Sequence, residues 1–364
     1  MCLIIHFTNN IPTKAIQLTP IQHSPSKMFF SSGPKLDPIP FPYNCTSIKF
    51  DTLKHNFNGA DFTYATFPVS TPSNSKNGAD IAPKARVLIV HGFDEYTLLY
   101  SRLMDNLHRV GIESFVFDQR GSGTTAGKAL RGLTDEAHTF RDLDHFIEWN
   151  LKDKSANTPL FLFGHSMGGG IVLNYGCHGT YKNQIAGIIC TGPLVLLHPH
   201  SAPSTIVSVL SPLLARFLPR FRIDTGLDLD ATTSDPRYRE FLSRDPLTVP
   251  LYGSLRQIYD FLERGKKLAR DKQYVAKFQT PVLIFHGQDD TINDPVGSQK
   301  FLKLCTAPDK QLILVPDARH SLCLETDAIF SEMLAKMQEW IIEHSTQSQT
   351  QLALTGCFTF FDLK

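Results

Sequence analysis

The sequence predicts an α/β protein, a mainly parallel central sheet with helices on both faces and an inserted helical cap. Two observations carry that prediction. The runs "ARVLIV", "ESFVFD", "LFLFG", "IAGIICTG", "TPVLIFHG" and "KQLILVP" are short, apolar and separated by helical or loop segments, the pattern of strands buried on both faces. This rhythm breaks once, between Gly192 and about Lys272, where the chain holds only helical and loop-like sequence. At 364 residues there is room for one large domain carrying such an insertion.

Taken in order, residues 1–46 are rich in proline and serine, lack a sustained period, and are expected to form a poorly ordered extension. "SIKFDTLKHNFNGADFTYATFPV" reads as an antiparallel hairpin, because Asn58-Gly59 is a tight-turn signal between alternating segments. The surface loop "STPSNSKNGADIAPK" follows. The core is expected over 47–192 and 273–344, the cap over 193–272 and a tail over 345–364. Within the cap, "STIVSVLSPLLARFLPRF" sets Val207, Leu210, Leu214, Phe217 and Phe221 at helical intervals beside Arg216, Arg220 and Arg222. Ser211-Pro212 reads as a helix start and Pro219 as a stop, so two short helices are expected there.

Composition excludes several classes of function. With 36 basic and 35 acidic residues the net charge is +1, and no global field favours nucleic acid. No stretch approaches the roughly 20 apolar residues that cross a bilayer. Seven cysteines, an odd number with no C-x-x-C pair, read as reduced thiols of an intracellular protein. The opening "MCLIIHFTNN" has too short an apolar burst for a secretory signal, so the sequon Asn44-Cys45-Thr46 is expected to stay unmodified. His198, His200 and His286 fall into no cluster with ligand spacing, so neither a metal nor another cofactor is expected.

The chemistry-bearing segment is "PLFLFGHSMGGG", residues 159–170. A buried strand followed by Gly164, Ser166 and Gly168 in G-x-S-x-G spacing is the pattern of a nucleophile elbow, a tight turn that lifts one hydroxyl clear of the sheet. A serine needs an adjacent base, and that base needs a third group to hold it. In "VLIFHGQDDTIND" the acidic pair Asp289 and Asp290 lies beyond one strand end, and in "LILVPDARHSL" His320 lies beyond another. Serine, aspartate, histidine is the chain order of an α/β-hydrolase triad. Two backbone N–H groups must hold the oxyanion, and Met167 after the nucleophile and Phe93 after "VLIVHG" are the candidates.

"HGFDEYT", "FDQRGSG", "LTDE", "GHSMGGG", "HGQDDTINDP" and "ARHSL" together resemble the fungal monoacylglycerol lipases of the serine α/β-hydrolase superfamily. The similarity runs from about residue 47 to about 344 and includes "GPLVLLHPH", "RIDTGLDL" and "VPLYGSLRQIYDF" of the cap. The resemblance implies hydrolysis of monoacylglycerol to glycerol and fatty acid, with Asp290 as the catalytic carboxylate and Asp289 as a loop-capping residue. A monoacylglycerol lives in a membrane or lipid droplet, so the apolar cap residues Leu210, Leu214 and Phe217 are expected to bind substrate and touch that surface, the other reading being that they pack the cap onto the core. Glu95 either bonds a glycerol hydroxyl or ties the oxyanion loop down. The family commonly has glycine where this chain has Asp94 and Asp317. An esterase or peptidase of the same fold, or a non-catalytic lipid-binding module, are the alternative readings, and no triad member is missing as the last would require.

Overall fold

The computed structural model describes residues 36–69, 82–155, 157–202 and 205–358. A hairpin opens the fold: β1 (Leu53–Phe57) and β2 (Ala60–Phe67) pair antiparallel, with Phe57 opposite Ala60. Asn58 and Gly59 between them both have positive φ (48° and 74°), the conformation a two-residue turn of this hand demands. Then follow β3 (Ala85–Val90), α1 (Ser101–His108), β4 (Ile112–Phe117), α2 (Gly123–Leu130), α3 (Glu136–Asp153), β5 (Leu160–His165), α4 (Met167–His178) and β6 (Gly187–Thr191). An inserted segment holds α5 (Thr205–Phe217), β7 (Arg222–Asp224), α6 (Pro236–Arg244), β8 (Tyr252–Ser254), α7 (Leu255–Arg270) and α8 (Lys272–Val275). The chain closes with β9 (Val282–Gly287), α9 (Pro295–Leu304), β10 (Lys310–Val315) and α10 (Asp327–Phe358).

Eight strands form one sheet in the order β1-β2-β4-β3-β5-β6-β9-β10, antiparallel across β1, β2 and β4 and parallel from β4 onward. The six apolar runs are its six parallel strands. Strand β5 shows why such runs are apolar throughout. Phe161 and Phe163 face a cluster with Leu103 of α1 and Trp340 of α10, while Leu160 and Leu162 face Phe146 of α3, Ile171 of α4 and Phe301 of α9. All four are at most 1% exposed. Each such side chain contributes about 1.5–3 kcal/mol by leaving water, so a polar residue on either face would cost heavily.

Four expectations meet a different outcome. Residues 1–35 lie outside the described residues, but the stretch just before residue 47 is packed. The ring of Phe41 meets Tyr238 and Phe241 at 5.5 and 5.2 Å, and Tyr43 donates to the buried Asp105 at 2.6 Å. Irregular backbone has no period to read, and these anchors are spaced singly. The insertion contains a two-stranded ribbon, β7 with β8, three residues each. And 205–217 is one helix with Pro212 inside it, not two. The buried Ala215 side of that helix packs on α7, and tertiary packing outweighs the lost backbone hydrogen bond. Val207's side chain lies outside the described residues. α10 also runs past residue 344, where a tail was expected. Among the described residues no helix is long and apolar enough to cross a membrane.

Candidate active site

Strand β3 sits between β4 and β5, so the chain departs in opposite directions along the sheet from this point, and a crevice opens at the carboxyl ends of these strands. Ser166 follows β5 directly. Its backbone, at φ 53° and ψ −118°, lies outside the ordinary regions for a side-chain-bearing residue. The neighbouring glycines explain how the turn closes. A Cβ on Gly164 would stand 2.5 Å from Gly168 O, and one on Gly168 only 2.0 Å from Val90 O. Either methyl would push β5, α4 and β3 apart. The turn is fastened by Ser166 N–H donating to Thr191 O (3.0 Å) and by Leu194 N–H donating to Ser166 O (2.8 Å).

Asp290 lies in the loop after β9 and His320 in the loop after β10. The His320 Nδ1–H donates to Asp290 Oδ2 at 2.7 Å, with both residues buried. The other carboxylate oxygen accepts the Ile292 and Asn293 N–H groups, each at 2.9 Å. A second histidine, His286, brings Nε2 within 3.2 Å of Oδ2 and takes a bond at Nδ1 from the Ser298 hydroxyl at 2.8 Å. Burial by itself raises the Asp290 carboxyl, but the charge and hydrogen bonds of His320 and His286 outweigh it and hold the group far below the usual carboxylate range. It is ionised at every working pH. Asp289 is exposed.

Ser166 and this dyad meet around Gly192. Asn293 Nδ2 donates to Gly192 O at 2.8 Å and approaches Ser166 Oγ at 3.5 Å. Among the described residues Ser166 Oγ makes no hydrogen bond to His320, a contact that in serine hydrolases often tightens only with substrate bound. Sequence reasoning missed Asn293 and the supporting role of His286. The run "DDTIND" holds the signal for the first, since an aspartate capping N–H groups two and three residues on is a recurrent local turn.

The Phe93 and Met167 N–H groups donate to no protein acceptor among the described residues. Met167 opens α4, where the first N–H groups of a helix have no intrahelical partner. The loop bearing Phe93 presses on the nucleophile: a Cβ on Gly92 would lie 3.2 Å from Ser166 Cβ. His91 braces that loop, accepting Gln119 N–H at Nε2 (2.8 Å) and donating from Nδ1 to Gly92 O (2.7 Å). Glu95 is turned into it. Its Oε2 accepts Gly92 N–H (2.6 Å) and the Tyr100 hydroxyl (2.5 Å), and its Oε1 lies 3.6 Å from His165 Nε2. These are loop-tying contacts. His165 bonds Thr191, and its ring lies 4.8 Å from that of His320. Burial lowers its imidazole to about 4, so it is neutral beside the base.

Asp94 and Asp317, where glycine is common in the family, both have positive φ, 52° and 56°. Aspartate is among the side chains that tolerate this region. The expected substrate-binding residues on α5 sit differently from the triad. Leu210 and Phe217 are 44% and 72% exposed and Leu214 is half-buried, because it is Ala215 that turns inward. No group of three or more metal-ligating side chains occurs among the described residues.

Residues 81–327 match the family model described as serine aminopeptidase, S33. The monoglyceride lipase of Saccharomyces cerevisiae is 50% identical over 313 residues, 84% of this chain and 98% of that protein. A putative monoglyceride lipase of Schizosaccharomyces pombe is 35% identical over 74% of this chain and 70% of its own length. A crystal structure of a soluble variant of the Saccharomyces cerevisiae enzyme with a substrate analog superposes with a TM-score of 0.78, covering 84% of this chain and 99% of that one. With the elbow, the dyad and the strand order already in view, these matches show that the chain belongs to the monoglyceride lipase family of serine α/β-hydrolases.

Proposed function

We propose that this chain hydrolyses monoacylglycerol to glycerol and a fatty acid through an acyl-serine intermediate. The observation that carries the reading is the 2.7 Å Asp290–His320 bond beside a serine held on a strained elbow, with two uncommitted amides next to it. In this mechanism His320 takes the Ser166 proton as Oγ attacks the ester carbonyl, and the Phe93 and Met167 N–H groups hold the oxyanion. Asp290 keeps the imidazole in the tautomer with Nδ1–H and stabilises its cation. The same imidazole gives its proton to the departing glycerol, and water then releases the fatty acid with the roles reversed.

Residues 193–272 act as the cap over this crevice. The face of α5 bearing Val209, Leu210, Leu213 and Phe217, continued by Leu218 and Phe221, is 44–72% exposed. That band, beside Arg216 and Arg220, suits the apolar side chains to the acyl region of a lipid surface and the guanidinium groups to its phosphates. On this reading Leu210 and Phe217 bring the enzyme to its substrate at the surface of a membrane or lipid droplet inside the cell. The test is labelling with a fluorophosphonate followed by turnover on monoacylglycerols, short soluble esters and aminoacyl amides. Labelling at Ser166 with preference for monoacylglycerol is expected. A preference for aminoacyl amides would replace the lipase reading with a peptidase.

A further inference from the structure

The residue after Phe93 is not needed for the loop's backbone, yet it carries a buried charge. Asp94 is 3% exposed at φ 52°, a conformation that asparagine or glycine would also adopt. Its Oδ1 accepts from Arg131 Nε at 3.1 Å, and its Oδ2 is buried with no hydrogen-bond partner. Arg131 follows α2 and reaches the inserted segment with its other nitrogens. Nη1 donates to Pro246 O at 3.3 Å and Nη2 to Thr248 O. The same segment buttresses Phe93 from its other side. The Phe93 ring lies 5.7 Å from that of Phe261 in α7, and a Cβ on Gly253 of β8 would sit 3.0 Å from Phe93 Cε2. Ser254 N–H donates to Gly132 O at 3.3 Å, closing the triangle.

We propose that Asp94 and Arg131 are positioning residues for the oxyanion loop, tying it to residues 246–254 of the insertion so that the Phe93 N–H is aimed only while that segment is docked. The inference rests on Phe93 being an oxyanion donor, as in the function proposed above. The energetics favour a functional reason for the pair. Burial raises the Asp94 carboxyl to about 7, Arg131 only partly offsetting it and Asp224 of β7 adding to it. A carboxylate whose folded value lies above its unfolded one stabilises the fold at low pH, and that contribution is lost as pH rises through about 7. The fold is therefore better served by a neutral side chain, and charge retained at such a cost beside a reaction centre is the usual sign of a site that trades stability for activity.

Four full-length proteins decide the matter: wild type, Asp94→Asn, Arg131→Gln and the double variant, assayed on monoolein and on p-nitrophenyl butyrate, with thermal melts at pH 8. Each single change is expected to lower kcat about tenfold or more while KM moves less than about threefold, because an oxyanion donor acts in the transition state. The double variant should be no worse than the poorer single one. Asp94→Asn should melt no lower than wild type at pH 8. The groups facing Asp94 are Arg131, Asp224 and the Tyr252 backbone. Wild-type kcat should thus carry a fall as pH drops through about 7, where Asp94 takes up a proton, that is missing from the profile of Asp94→Asn. An unchanged kcat in Asp94→Asn, additive losses, or a loss matched by a lower melting temperature would each overturn the proposal. Wild type inactive on both esters would instead remove the function on which it rests.

Discussion

The crevice around Ser166 and the outer face of α5 serve one proposed reaction and are built in opposite ways. In the crevice the carboxylate is fully engaged and the backbone tightly fitted: Asp290 alone takes two backbone N–H groups and two imidazoles, and the glycines bring three backbones to contact distance. On the outer face of α5, Val209, Leu210, Leu213 and Phe217 stand largely in solvent, Phe217 72% exposed. A transition state tolerates errors of a fraction of an ångström, whereas a lipid surface needs only apolar area and is indifferent to its fine arrangement. Changes in the crevice should therefore act on the chemical step for every substrate, and changes on α5 only where a surface is present.

The largest effect that would break this contrast is at the nucleophile. Ser166→Ala should lower kcat by about 10⁴ to 10⁶ on soluble and lipid esters alike, with an unchanged melting temperature, since alanine adopts the same elbow. Retention of a tenth of the activity would rule out the serine mechanism. Next come the two aspartates. Asp290→Asn should cost about 10⁴ in kcat, and the exposed Asp289→Asn almost nothing. Because the folded Asp290 carboxyl lies far below its unfolded value, its contribution to stability is fully present above about pH 4 and is lost progressively as pH falls from there through the folded value. The melting temperature of Asp290→Asn should accordingly lag that of wild type at pH 7, and the gap should begin to narrow only below about pH 4 and keep narrowing as the pH is lowered further; a gap that stays constant from about pH 7 to about pH 2 would show that the carboxylate's charge is not what is stabilising.

A smaller effect tests how finely the crevice is set. Asn293→Ala removes the bond to Gly192 O and the contact with Ser166 Oγ, and should lower kcat about 10- to 100-fold with little change in KM. Equal kcat in the variant would mean that the turn after Asp290 holds itself. The smallest effect concerns α5. Changing Leu213 and Phe217 together to serine should weaken sedimentation with phosphatidylcholine–phosphatidylserine vesicles about tenfold or more and slow monoolein hydrolysis, while p-nitrophenyl butyrate is hydrolysed as before. An equal fall on both substrates, with a lower melting temperature, would make that face part of the fold.

Much of this was legible in the chain because it is written locally. The parallel strands appear as continuous apolar runs since both faces of the sheet are covered, the hairpin turn as Asn58-Gly59 since both positions need positive φ, and the elbow as Gly164, Ser166 and Gly168 since nothing larger fits. Asp94 and Asp317 were visible too, as side chains standing where the family resemblance implies glycine. What remained hidden depends on residues far apart in the chain. No pattern near Phe41 announces Tyr238, and Pro212 alone argues for a break that packing against α7 overrules. Likewise Arg131 becomes the partner of Asp94 only because the turn after α2 and the loop before β8 converge on the end of β3. The sequence by itself determined which elements form and which residues can do chemistry, because backbone conformation and burial period are properties of neighbours along the chain. The tertiary structure alone decided which carboxylates are compensated and which amides stay free, because desolvation and charge depend on whatever the fold brings within a few ångströms.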